Sequence, residues 1–280
     1  MQELPELLIE PGRAEKNYWH DLWRYRELFY FLAWRDILVR YKQTAIGIAW
    51  AVIRPLLMTV IFTVVSGKVA GLKAPGSVPH ALLVMAAVLP WQFFATAMTE
   101  ASNSMVGNAN LISKVYFPRL VVPAGAVITS FVDFLITLGL MALFMVFYRF
   151  TPDWHLVFLP LFILLALSAS FGIGLWLCAL NVEYRDFRYI IPFIVQFGIY
   201  VSPVIYTSAD IRHKLGDTFS MFYALNPMAG VIDGFQWCLL GAPVPLDPQE
   251  MVTAVVVILT LVISGTWYFR KMERTFADVI

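Results

Sequence analysis

Arg40, Lys42 and Arg54 set three cations within fifteen residues, at the threshold of an apolar run that continues, Arg54 apart, to Val65. The chemistry open to them is anion binding. Arg54 falls about two turns into the run, from where a long side chain can reach back to phosphate. Two acids share the apolar stretches. Glu100 stands near the end of one, and Asp133 is centred in another, either bonded to a neighbouring helix or part of a transport path. Nothing assembles a catalytic centre. The only Gly-Lys pair, Gly67-Lys68, lacks the spacing of a phosphate-binding loop. His20, His80, His155 and His213 are scattered, and Cys178 and Cys238 stand far apart as small apolar residues. No catalytic residue, metal site or cofactor is expected in this chain. Energy for any uphill movement must come from a partner or an ion gradient.

Composition sets the class of element that positions these groups. The chain is 60% hydrophobic and only 14% charged, with a mean hydropathy of +0.72. Soluble domains are nearer half apolar and a quarter charged, so this is an integral membrane protein. A net charge of +1 gives no reason to expect nucleic acid. A spanning helix needs about 20 mostly apolar residues. Six segments qualify, at about 46–67, 80–104, 120–148, 157–180, 189–206 and 251–269. Residues 1–16 read as an irregular tail, 17–44 as an amphipathic helix on the membrane interface, and 45–280 as one transmembrane domain. The fold expected is all-α: six transmembrane helices, an N-terminal interfacial helix and two short outer re-entrant helices.

With six spans the termini and the even loops share a side. That side holds fourteen of the 20 Lys and Arg, against five opposite. Both termini are therefore expected in the cytoplasm. The outer segment 207–250 is too long for a turn and too apolar for a solvated loop. Ser208 and Gly216 bracket one short helix. Asn226, Pro227 and Gly241 bracket a second, which carries Asp233 and Trp237. Two helices dipping into the outer leaflet as a gate fit these signals.

Two loops on the basic side read as docking surfaces for a protein. One contains Asn110, Leu111, Lys114, Tyr116 and Phe117, and the other Glu183, Arg185 and Asp186. Headgroup anchoring accounts for the bases but not for the acids among them. Aromatic residues make up 15% of the chain. Flat rings pack on the C–H faces of sugars, and Trp50, Phe62, Trp91, Phe94, Phe197, Tyr200 and Tyr206 are the candidates to line a passage.

The run from Leu22 to Trp50 resembles the permease subunits of ABC transporters that export polysaccharides, the family of O-antigen and teichoic-acid exporters. Leu111–Pro118, Asn181–Phe187, Pro203–Tyr206, Asn226-Pro227 and Glu273–Asp278 resemble its further signatures, in order. The resemblance covers nearly the whole chain from about residue 8. It implies a subunit that pairs with itself and with two copies of a cytoplasmic ATPase, which binds the ATP and Mg. It implies that 106–118 is the coupling helix seated in that ATPase. The implied cargo is a polysaccharide on a polyprenyl diphosphate carrier, crossing a bacterial inner membrane; Arg40, Lys42 and Arg54 are the candidates to receive that diphosphate. An exporter of another lipid or drug with the same architecture, or an ion-coupled carrier, is the alternative.

Overall fold

The computed structural model describes residues 18–42, 49–112, 114–115, 117–184, 186–208, 210–211, 216, 223–273 and 276. The tail 1–16, Tyr116, Arg185 and most of the first gate helix fall outside these. The described residues form helices and no strand: α1 (Tyr18–Arg24), α2 (Arg26–Lys42), α3 (Ala49–Thr63), α4 (His80–Gly107), α5 (Ala109–Ile112), α6 (Val121–Phe147), α7 (Leu159–Glu183), α8 (Phe187–Val201), α9 (Pro227–Leu240) and α10 (Pro248–Met272). A π-helical turn at Val64–Val69 extends α3, and a 3-10 turn at Trp154–Phe158 leads into α7. Among the described residues five helices are long and apolar enough to cross a membrane: α3 with its extension, α4, α6, α7 with its lead-in, and α10.

α4 is the centre of the bundle. It is buried on every side, and α3, α6, α7, α8 and α9 all pack on it. Small residues set the tightest crossings. A methyl group at Gly172 of α7 would come within 2.8 Å of the α10 backbone at Val262, and one at Gly265 within 2.4 Å of the Gly172 carbonyl. Such close approach lets apolar helices gain packing contacts that lipid cannot supply.

The two ends of the bundle differ. One end gathers α1, α2, α5 and the adjoining ends of α4, α6, α7 and α10 around Met105, Phe117, Cys178 and Phe269. Arg35, Arg119 and Arg270 also lie here, so it is called the basic end. Phe117 is buried in this cluster, so its ring serves packing where the loop sequence suggested a docking contact.

The segment 17–44, expected as an interfacial helix, forms α1 and α2. α2 runs along α6. Ala33 approaches Gly125, and eight residues further on Tyr41 meets Asp133, an equal advance of about 12 Å on both helices. The small pair Ala33 and Gly125 lets the backbones close, and the bonds to Asp133 fix the far end.

α8 falls short of a full span. Its 15 residues cover about 21 Å against a hydrocarbon core of about 30 Å. It stops because Ser202, extended at φ −105° and ψ 153°, precedes Pro203, which disfavours helical geometry in the residue before it. α9 begins where α8 ends. The Asn226 amide donates to Ser202 Oγ at 2.9 Å and to the Val201 carbonyl at 3.2 Å. From there α9 packs between the far ends of α4, α7 and α10, buried along nearly its whole length.

Candidate functional site

Four helices leave a cleft of about 470 Å³ about midway along α4 and α6. α2 contributes Arg40 and Tyr41, α3 Trp50 and Arg54, α4 Gln92, Thr96 and Glu100, and α6 Ser130, Asp133 and Thr137. Arg40 is the hub. Its guanidinium donates to Asp133 Oδ2 at 2.8 Å and to Glu100 Oε1 at 2.5 Å. Tyr41 donates its hydroxyl to the other Asp133 oxygen. Burial, then the Asp133 carboxylate beside it, pushes the Tyr41 phenol well up, so it stays a donor. Asp133 is thus bonded to a neighbouring helix, the first of the two roles open to it from sequence.

Both acids are spent on Arg40. What the cleft leaves open are donors. Arg54 is exposed and has no ion pair or hydrogen bond among the described residues. The Gln92 amide nitrogen is buried without a hydrogen-bond partner among the described residues. A guanidinium and an amide donor on the lining of a cleft of this size can hold an anion such as a phosphate. Among the described residues no three of His, Cys, Asp and Glu gather as a metal would require.

Residues 27–240 match the ABC-2 type transporter family. The chain belongs to that family. It is also similar to three O-antigen export permeases, each named RfbA. The Myxococcus xanthus protein is 26% identical over 260 residues, covering 93% of this chain and 98% of the relative. Two from Klebsiella pneumoniae are 28% and 27% identical over 247 residues, covering 88% of this chain and 92% of each relative. As an ABC-2 family member the chain is a multi-pass membrane component of a transporter, with no catalytic role of its own.

The structure of this ABC-2 protein sorts the sequence candidates. Arg40 and Arg54 share the cleft, but Lys42 sits on a separate shallow hollow of α2 with Phe31, Trp34 and Arg35. Trp50, 52% exposed, lines the cleft. Phe62, Trp91 and Phe94 are buried in the protomer core. The Trp91 indole lies over Gly198, where a methyl would come within 2.6 Å of Cη2, and tilts against Phe94 at 5.6 Å. Phe197 and Tyr200 are exposed on α8, and the half-buried Tyr206 donates to the Tyr200 carbonyl at 2.6 Å.

Of the docking residues, Asn110, Lys114, Glu183 and Asp186 are exposed at the basic end, and Leu111 is half-buried. Of the gate residues, Asn226 caps α9 by accepting the Met228 N–H at 3.0 Å, with Pro227 at the first helical position. Asp233 is buried and accepts from Ser208. Trp237 packs on His155 at 4.4 Å and on Phe158 at 5.6 Å.

Sequence reasoning missed Gln92, whose signal is its helical spacing with Thr96 and Glu100, four and eight residues further on. It also missed Tyr189 and Phe193. Their spacing with Phe197 and Tyr200 marks a single exposed stripe of α8, and the Phe193 and Phe197 rings lie 4.2 Å apart.

Proposed function

We propose that this chain is the channel-forming permease subunit of an ATP-driven exporter. Its cargo is a lipid-linked polysaccharide of O-antigen type, moved from the cytoplasmic to the outer side of a bacterial inner membrane. The observation that carries this reading is the end-to-end similarity to O-antigen export permeases, within a family match spanning 27–240. Two copies pair, and two copies of a separate ATPase bind the basic end, which faces the cytoplasm together with both termini. The exposed side chains of Asn110, Lys114, Glu183 and Asp186 support docking there, with α5 and the start of α8 relaying the movement.

The cargo's diphosphate is received at Arg54, and its polymer passes along the aromatic stripe of α8 at the junction of the two copies. α9 and the segment before it form the outer gate. The guanidinium of Arg54, without a partner among the described residues, supports the first step, and the row Tyr189, Phe193, Phe197 and Tyr200 supports the second. Ring faces suit sugars because they need no fixed register of hydrogen bonds, so a polymer can slide over them.

Deleting the gene tests the reading. Polysaccharide should accumulate inside the cells and vanish from their surface, and the tagged protein should carry an ATPase through purification. Normal surface polymer in the deletion strain, or a preparation free of any ATPase, would overturn it.

A further inference from the structure

At the π-helical turn that extends α3, hydrogen-bond directions can be assigned one by one. The buried Ser66 hydroxyl donates to the Phe62 carbonyl at 2.6 Å. Its single hydrogen is then spent, so His80 Nε2, 2.7 Å away, must be the donor to Ser66 Oγ. The neutral His80 ring therefore carries its hydrogen on Nε2 and offers Nδ1 as an acceptor. Gly67 gives the ring its place, since a methyl group there would come within 3.1 Å of His80 Cδ2. On α9 the Gln236 amide nitrogen donates to the Leu83 carbonyl at 3.2 Å, which leaves Oε1 as an acceptor. His80 Nδ1 and Gln236 Oε1 are both buried, and neither has a donor among the described residues. The two residues line one small cavity between the start of α4, α9 and the segment after α8. It offers about 10 Å³, room for a single water. Lys73 and Asp210 line it too, but Lys73 is exposed, and Asp210 Oδ2 accepts from the Thr207 N–H at 3.0 Å and hydroxyl at 2.8 Å.

We infer that this cavity binds one water, which donates one hydrogen to His80 Nδ1 and the other to Gln236 Oε1. Two acceptors cannot bond each other. A molecule with two donors and the volume of this cavity is water. The water closes a chain that runs from the Phe62 carbonyl through Ser66, His80 and Gln236 to the Leu83 carbonyl. α3 and α9 are thereby joined across the first turn of α4. The site stands whether or not the chain exports polymer. Under the export reading, it ties the helix that carries Arg54 to the outer gate.

Two measurements on the full-length protein in nanodiscs test this. Cryo-electron microscopy at a resolution that shows ordered water should place a density peak within about 3.2 Å of both His80 Nδ1 and Gln236 Oε1. The peak should persist when choline replaces sodium in the buffer. Thermal unfolding then tests the bridge. His80→Phe and Gln236→Met should each lower the unfolding temperature, and the double variant should lose at least about 2 °C less than the sum of the two. The Leu83 bond lost in Gln236→Met cancels in that cycle. Ser66→Ala takes the place of His80→Phe should that variant not fold, since it removes the acceptor that fixes the ring's tautomer. A cavity without a peak where other waters are resolved, a peak that depends on sodium, Lys73 Nζ bonded to either acceptor, or additive shifts would overturn the inference.

Discussion

Arg40 of α2 holds Asp133 of α6 at 2.8 Å across 93 residues of sequence, and reaches Glu100 of α4 with its other nitrogen. One side chain therefore fastens the N-terminal helix to two others. The three groups are between a quarter and a half exposed, so their attraction is partly screened. Arg40→Ala should cost about 1–2 kcal/mol, mostly from the two carboxylates left facing each other. A double-mutant cycle of Arg40→Ala with Asp133→Ala, followed by thermal unfolding in detergent, should return a favourable coupling that is lost in the pair. Additive effects would show that the contact does not hold the helices.

Arg54 is predicted to behave in the opposite way. It shares the cleft with Arg40 but has no partner among the described residues, so folding does not depend on it. Arg54→Ala should leave the melting temperature and the amount of protein in the membrane unchanged. Surface polysaccharide in cells should fall at least tenfold. Parental export at a matched protein level would remove Arg54 from the path of the cargo. Arg54→Lys should retain part of the activity, since it keeps the charge but not the planar fork.

These two arginines mark how much the sequence could say. Both were legible as cations at the edge of an apolar run. Their difference was not, because the acids that claim Arg40 lie 60 and 93 residues away, and one helix pattern carries no information about another. The cap of α9 was legible, since Asn226, Pro227 and Gly241 act within their own few residues. The facing of Trp91 and Phe94 was not. α4 carries Gln92, Thr96 and Glu100 along one side and is apolar on the others, so its pattern does not tell which rings meet a passage and which meet a neighbour. Phe117 looked like a docking residue because its loop is polar at the start, yet long-range packing buries it. The apolar run predicts a span to residue 206, but Ser202 before Pro203 stops α8 at Val201.

Gly234 offers a test of how α9 is seated. A methyl group there would lie 1.7 Å from Phe162 Cε1, inside the ring's own volume. Gly234→Ala must push α9 away from α7 or force the Phe162 ring off its rotamer, and should cost about 1–3 kcal/mol. Phe162→Leu, which removes the far edge of the ring, should recover much of the loss when combined with it. If Gly234→Ala alone unfolds at the parental temperature, α9 is not packed against α7 as described.

Glu273 makes the basic end sensitive to pH. It follows α10 and accepts the Arg119 N–H on Oε1 at 2.8 Å, while Arg119 Nη1 donates to the Glu273 carbonyl at 2.5 Å. Burial pushes the Glu273 carboxyl up, and the Arg119 N–H and guanidinium offset this only in part. A carboxyl raised in the folded state binds its proton more tightly there than in the unfolded chain. Its contribution to docking is therefore full below the ordinary carboxylate range and is lost as pH rises through the raised value. Hydrogen exchange at the Arg119 amide, corrected for its intrinsic rate, should be slower in acid than at neutral pH. In Glu273→Gln, which keeps an acceptor oxygen without a charge, the corrected rate should no longer depend on pH. Glu273→Ala should expose the amide throughout. A corrected rate that is flat with pH in the parent protein would show that Glu273 does not titrate in this contact.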